Sequence, residues 1–219
     1  MKMNEKEIQD MLQAYPELEY MHIDETKKDI FQGTIFINHV EEKTKVHLVG
    51  KFGIKIVVDQ YYPEKLPVVY DTNNSIDKDY IHRYPDGELC LESITRLKLF
   101  SRKHSVKEFI DLFLINYLCS YLYFERYLTY PNGERPHGFI GEYDFLKEFF
   151  DVSIEQVVAI LKYMLDNGIK RNDLCPCGSG RKIKRCHGKQ MIEIQNCIKK
   201  SGVEKIILDL FRYLKEKRN

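Results

Sequence analysis

The chain has no tryptophan, and its net charge near neutral pH is only +1. Without a surplus of either sign, nothing draws the whole molecule toward nucleic acid or an anionic membrane. No apolar run reaches the ~20 residues that a membrane-spanning helix needs. The most apolar stretch, Phe109 to Phe124, falls short of that and carries Asp111 and Asn116, so it reads as a buried helix. The start, Met1-Lys2-Met3-Asn4-Glu5-Lys6, contains no apolar segment. A secretory leader is therefore not expected, and a reducing cytoplasm is the expected compartment. There is no internal repeat and no low-complexity tract. Proline is sparse, seven residues in 219, so each one is informative as a corner.

What is present suits a soluble protein with one good core and a smaller addition. Hydrophobic residues make up 43% and charged residues 31%. The six cysteines are Cys90, Cys119, Cys175, Cys177, Cys186 and Cys197. Three of them lie beside His187, a grouping that favours a metal over disulfides. Cys119 and Cys197 read as packed helix residues.

Helix starts are marked by capping boxes at Asn4/Glu7, Ser105/Glu108, Ser153/Gln156 and Ser201/Glu204. The first helix is expected to stop near Tyr15, ahead of Pro16. The second runs to about Tyr127, and the third to about Asp166 with Gly168 as its stop. A helix near Lys189 to Lys199 precedes the last one, whose stripe is Val203, Ile206, Ile207, Leu210, Phe211 and Leu214. Between Ile30 and Tyr70 the chain reads as an antiparallel meander. Thr34 to Asn38, Lys45 to Val49 and Ile54 to Val58 are the strand-like runs, with a turn at Glu41-Glu42-Lys43 and Gly53 between the second and third. Pro63 and Pro67 bracket the next connection, leading to Val68-Val69-Tyr70. Asp71 to Asp79 is a polar loop.

That loop leads to His82-Arg83-Tyr84-Pro85-Asp86-Gly87-Glu88-Leu89-Cys90-Leu91-Glu92. A nucleophilic cysteine needs access, an adjusted pKa and donors for a developing oxyanion. Asp86-Gly87 supplies a turn before Cys90, and Leu89 and Leu91 would anchor the segment from the opposite side. Taken alone, Cys90 reads first as a small buried apolar residue. The meander, the proline corner and the Gly-x-x-Cys-Leu segment, in that order, resemble the ubiquitin-conjugating (UBC) fold. The resemblance implies an α+β domain with a four-stranded antiparallel meander flanked by helices. It also implies that Cys90 carries a ubiquitin-like protein as a thioester before transfer to an amine. The family's usual Asn, eight residues before the cysteine, is absent, and His82 occupies that distance. His82 is accordingly a candidate for an oxyanion or orienting role, or a histidine that holds the loop through backbone bonds. Asp86, Glu88 and Glu92 are either lysine-positioning acids or solvated ones. A second stretch, Pro136-His137-Gly138-Phe139-Ile140-Gly141, resembles a His-Gly-x-x-Gly segment of bacterial UBC-like proteins. It makes His137 a candidate base, or a histidine bonding the backbone of a loop.

The most specific motif is Cys175-Pro176-Cys177, eight intervening residues, then Cys186-His187. Three thiolates and an imidazole fill a tetrahedral shell, the donor set of structural zinc. Gly178 and Gly180 let the backbone turn around the sulfurs. The stretch resembles a SEC-C motif, best known from the tail of the SecA translocation ATPase. Lys170 to Lys189 holds seven basic residues and one acid. That run reads as a solvated surface, a docking patch or a phosphate contact, without the aromatics that base stacking uses.

The expected organisation is a UBC-like domain over 1–150, a connecting helix over 151–169, a SEC-C zinc motif over 170–189 and C-terminal helices over 190–219. The resemblance implies a ubiquitin-like conjugating enzyme. Its architecture is like that of the conjugating component of short type II CBASS antiphage operons, whose protein partner is a cGAS-like nucleotidyltransferase with an activated C-terminus. A separate activating enzyme would supply the acyl group, and neither a membrane nor nucleic acid is an expected partner. Two alternatives stay open: a non-catalytic UBC-variant binding module, and a basic zinc adaptor for RNA or the ribosome.

Overall fold

Asn4 accepts the Glu7 amide at 2.9 Å and Glu7 returns the bond to Asn4, opening helix α1 (Glu5–Ala14). Its inward residues, Ile8 and Met11, are buried. The computed structural model describes residues 3–131, 133 and 138–216, with the backbone alone at 138–139 and 214–216. The chain divides into two units, Met1–Glu92 with Phe100–Arg135, and Ser93–Leu99 with Pro136–Asn219. Both contain helices, and among the described residues the sheet lies in the first, so the class is α+β.

The sheet of the first unit is an antiparallel meander in the order β1 (Leu18–Ile23), β2 (Lys28–Val40), β3 (His47–Asp59), β4 (Val68–Asp71). Two expectations are corrected here. Lys45 to Val49 and Ile54 to Val58 belong to one strand, paired continuously with β2 from Val40↔His47 to Lys28↔Asp59. The fourth strand is β1, which precedes the expected start of the meander. Leu48, Phe52, Ile54, Ile56 and Val58 keep one inward register through both glycines. Gly50 sits in that register because a Cβ there would lie 2.8 Å from a Leu122 methyl. Gly53 sits on the alternate register, where the Asn73 side chain closes over it and accepts its amide at 3.2 Å.

Over the sheet runs one long helical segment. Ser105 caps α3 (Val106–Phe109), which passes through a π-helical stretch, Ile110–Leu114, into α4 (Ile115–Tyr127). Leu128, in the left-handed conformation, ends it. Phe109, Ile110, Leu114 and Leu118 are fully buried, and α4 packs on β2 and β3. The Tyr15 hydroxyl donates to Asp111 at 2.6 Å, tying the end of α1 to the π-helical stretch. Asp29, almost fully buried on β2, accepts from the Tyr20 hydroxyl at 2.6 Å, His22 Nδ1 at 2.7 Å and the Met3 amide at 2.9 Å. The Tyr62–Pro63 peptide is cis, in the connection before β4.

The second unit packs α5 (Gly138–Phe150), α6 (Ile154–Asn167), α7 (Gly188–Cys197) and α8 (Lys200–Glu216) around one apolar core. Phe150, Val157, Ile160, Leu161, Ile183 and Ile194 are fully buried in it. The α6 start is the expected Ser153/Gln156 box, and Gly168 ends the helix with φ +66°. The α8 start differs from expectation. Lys199 accepts the amides of Gly202 and Val203, so Ser201 lies inside the first turn instead of capping it. Helix α2 (Ile94–Ser101) runs from residues of the second unit into those of the first.

Candidate functional site

Cys90 ends a short hairpin. The Tyr84 amide donates to the Glu88 carbonyl at 2.8 Å and the Cys90 amide to the His82 carbonyl at 2.8 Å, around the Arg83↔Leu89 bridge. Gly87 makes the turn with φ +88°, and a Cβ there would lie 2.9 Å from the Asp71 carbonyl oxygen. The far arm is bonded to β4: Asp71 N–H donates to Gly87 O at 2.9 Å, and Leu89 N–H to Val69 O at 2.9 Å.

This pairing sorts the side chains by face. Leu89 and Arg83 share the inner face. Leu89 is buried, and the Arg83 guanidinium meets the buried Asp71 carboxylate at 3.2 Å and donates to Asn74 at 3.2 Å. His82, Tyr84, Glu88 and Cys90 share the other face. Cys90 is half-buried and Tyr84 is exposed. Burial pushes the Cys90 thiol up, a hydrogen bond with the Tyr84 hydroxyl opposes the shift, and Glu92 and Glu88 add to it. The thiol is therefore protonated at neutral pH.

His82 contributes its carbonyl to the Cys90 amide and also accepts the Tyr117 hydroxyl, at 3.0 Å. Its ring packs near Tyr80 at 5.5 Å and Tyr130 at 6.4 Å. Leu91 is half-buried. His137 lies outside the described residues. Sequence reasoning singled out neither Tyr84, which shares the hairpin face of Cys90, nor Tyr117, which bonds the His82 carbonyl that also takes the Cys90 amide. The Tyr84 signal was its place in the hairpin register. Tyr117, brought in by α4, had none.

The second candidate is built by a knuckle. Leu174 and Lys182 form a bridge, the Cys175 amide donates to Arg181 O at 2.8 Å, and Gly178 and Gly180 turn with φ +81° and +70°. A short 3-10 turn, Ile183–Arg185, then delivers Cys186 and His187 at the head of α7. Gly188 is needed there, because a Cβ would meet the Ile183 carbonyl oxygen at 2.8 Å. The four expected ligands come together, with one ligand atom from each of Cys175, Cys177, Cys186 and His187 within 4.8 Å of the others. Cys175 Sγ lies 3.4 Å from His187 Nδ1, Cys177 Sγ 3.5 Å from Cys186 Sγ, and Cys186 Sγ 3.5 Å from His187 Nδ1. Tetrahedral zinc, with Zn–S near 2.3 Å, asks for ligand–ligand edges of about 3.5 to 3.8 Å. The cluster therefore fits such an ion. Against the cost of burial, hydrogen bonds from the Ser179 side chain and backbone bring the Cys177 thiol down to about 6. The Arg181 guanidinium donates to Cys186 Sγ at 3.4 Å, and Gln156 holds the Cys177 carbonyl at 2.5 Å.

Fold and site together define a mixed α+β protein with a Cys₃His cluster suited to a metal. The SEC-C motif matches residues 171–189, so the chain carries that motif. Protein translocase subunit SecA of Francisella tularensis subsp. novicida (strain U112) is 76% identical over 21 residues, 10% of this chain and 2% of that protein. SecA of Porphyromonas gingivalis (strain ATCC BAA-308 / W83) is 62% identical over 26 residues, 12% of this chain and 2% of that protein. The chain thus spans about 2% of the length of the curated relatives it matches. No solved structure matches it. No helix among the described residues is long and apolar enough to cross a membrane.

Proposed function

We propose that this protein is a UBC-like conjugating enzyme that holds an acyl group on Cys90 and passes it to an amine, with a structural zinc in its SEC-C unit. The observation that carries the reading is how Cys90 is presented. Its hairpin is bonded to β4, the Leu89 and Arg83 side chains are buried on the inner face, and Cys90 is left half-buried on the other. A rigid support of this kind is what an acyl carrier needs. The order α1, four-stranded meander, proline corner, cysteine hairpin and helix adds support.

In the proposed reaction the Cys90 thiol loses its proton to solvent, and the thiolate attacks the carbonyl of an activated protein C-terminus. The tetrahedral intermediate collapses, the activating group leaves, and a thioester remains. An amine then attacks that carbonyl, the thiolate leaves, and an amide is formed. His82 orients the nucleophile through its carbonyl, which fixes the Cys90 amide. His137 is kept as a candidate base. Cys175, Cys177, Cys186 and His187 would hold zinc, whose closed shell supplies folding stability and no chemistry. The partners are a protein with an activated C-terminus, for which a cGAS-like nucleotidyltransferase is the first to try, and a separate activating enzyme.

The test is a mass measurement on the full chain incubated with partner, activating enzyme and ATP. A protein-sized adduct should form, be released by thiol reductant and be missing from Cys90→Ala. If the adduct persists in Cys90→Ala, or none forms with partners recovered by crosslinking from the native cell, Cys90 is not the carrier.

A further inference from the structure

The SEC-C match covers residues 171–189, but one bond that shapes the metal cluster comes from outside it. Gln156 lies in the first turn of α6, and its side-chain amide makes two bonds. Its Oε1 accepts the Ser153 amide at 2.9 Å, closing the capping box. Its Nε2 donates to the Cys177 carbonyl at 2.5 Å. A backbone N–H only donates and a backbone carbonyl only accepts, so the two partners orient the amide, and a flipped amide would lose both bonds. The second bond falls on the planar peptide that joins Cys177 to Gly178, and this plane is held at both edges. The Gly178 amide donates to the Cys175 carbonyl at 3.2 Å, and Gln156 meets the Cys177 carbonyl. The Cys177 backbone is thereby fixed on its C-terminal side, with Sγ 3.5 Å from Cys186 Sγ. Two turns along α6, the Tyr163 hydroxyl donates to Asp173 at 2.7 Å, so the same helix holds the knuckle at a second point.

We propose that Gln156 is a positioning residue for the metal: it aims Cys177 from α6, and so sets the affinity of the cluster from outside the motif. The inference rests on the reading of the four ligands as a structural zinc site and is independent of Cys90. Groups that hold a metal's ligands in place typically contribute about ten- to a hundredfold in affinity. Without Gln156 the Cys177–Gly178 peptide would be ordered only as the metal binds, and the entropy lost would weaken the affinity. The same side chain closes the α6 capping box, so the start of the helix and the aim of the ligand are set together.

The alternative is a capping residue whose contact with Cys177 adds nothing to metal binding. Two neutral variants of the full chain separate the readings. Gln156→Met keeps the reach of the side chain and removes the donor. Ser153→Ala removes the other half of the capping box and leaves the donor in place. Each is titrated with zinc against a chromophoric chelator at one pH, once circular dichroism has matched the helix content of the loaded forms. Gln156→Met should bind zinc about tenfold more weakly than Ser153→Ala. A Gln156→Met affinity no lower than that of Ser153→Ala overturns the proposal. A second reading needs no variant. In the zinc-loaded parent, the side-chain amide protons of Gln156 should exchange more slowly than those of the exposed Gln13. Equal rates overturn the proposal as well. A parent chain that binds no zinc removes the metal reading and this inference together, and the parent titration shows that outcome by itself. Failure of the Cys90 adduct assay changes neither.

Discussion

At the scale of single residues, the cysteine hairpin depends on a buried ion pair. The Asp71 side chain is fully buried and that of Arg83 is 5% exposed, with Nε at 3.2 Å from the carboxylate. Asp71 also accepts from the Ser75 amide at 3.1 Å and the Ser75 hydroxyl at 2.9 Å, so one carboxylate organises both the 71–76 loop and the hairpin. Removing one partner of such a pair strands the other charge, and the cost is typically about 3–5 kcal/mol. Arg83→Met should therefore lower stability by that order, read from the urea midpoint. Arg83→Met combined with Asp71→Asn should recover part of the loss, because no unpaired charge is then left buried. If Arg83→Met changed the midpoint by less than the equivalent of ~1 kcal/mol, the pair would be a consequence of the loop's shape and not its cause.

At the scale of elements, the turn at Gly87 decides where the cysteine sits. Its φ of +88° disfavours any side chain, and a Cβ would press on the Asp71 carbonyl oxygen, which is backbone and cannot move aside. Gly87→Ala should break the Asp71–Gly87 bond and release the hairpin from β4. Faster exchange of the Leu89 and Cys90 amides, measured by NMR, would report it, with the β2–β3 amides unchanged. Those elements that carry their own punctuation were legible in the sequence. The boxes at Asn4, Ser105 and Ser153 are all formed, because a capping box is closed by residues three apart. The metal cluster was legible for the same reason: its ligands sit on one knuckle and the turn after it. Elements completed from a distance were not. Helix α2 draws its N-terminal bonds from Glu142, which takes the Thr95 amide at 3.2 Å and also its hydroxyl, from 47 residues along the chain. Helix α5 opens with Gly138 and Gly141, residues that argue against helix and are overruled by Leu146 and Phe150 in the core. In β3, Gly53 looked like a break, and only the neighbouring Asn73 side chain explains it.

At the scale of the whole molecule, the SEC-C segment is not a pendant hairpin but part of a core. Cys175 and Cys177 are buried among the same residues as Ile183, Met191 and Ile194, and His187 lies edge-on to Phe150 at 5.9 Å. Gln156, which closes the α6 capping box with Ser153, also donates to the Cys177 carbonyl. The ligands and the helices α6 and α7 therefore form one cooperative set, in which an ion bound by the proposed cluster stabilises every member. Structural zinc in small domains is worth ~10–16 kcal/mol near neutral pH, as much as or more than the whole stability of a typical domain. A strong chelator should then strip protection from the amides of Val157, Leu161 and Ile194, in hydrogen exchange read by mass spectrometry or NMR. The β2–β3 ladder belongs to the other unit and draws its protection from Phe31, Phe52 and Phe109, none of which is near a ligand in sequence. Its amides should keep their exchange rates under the same treatment. Cys177→Ser should reproduce the chelator's pattern and lose the metal in elemental analysis. Unchanged protection in α6 and α7 after complete metal removal would mean that the helical core stands by itself and the cluster only decorates it.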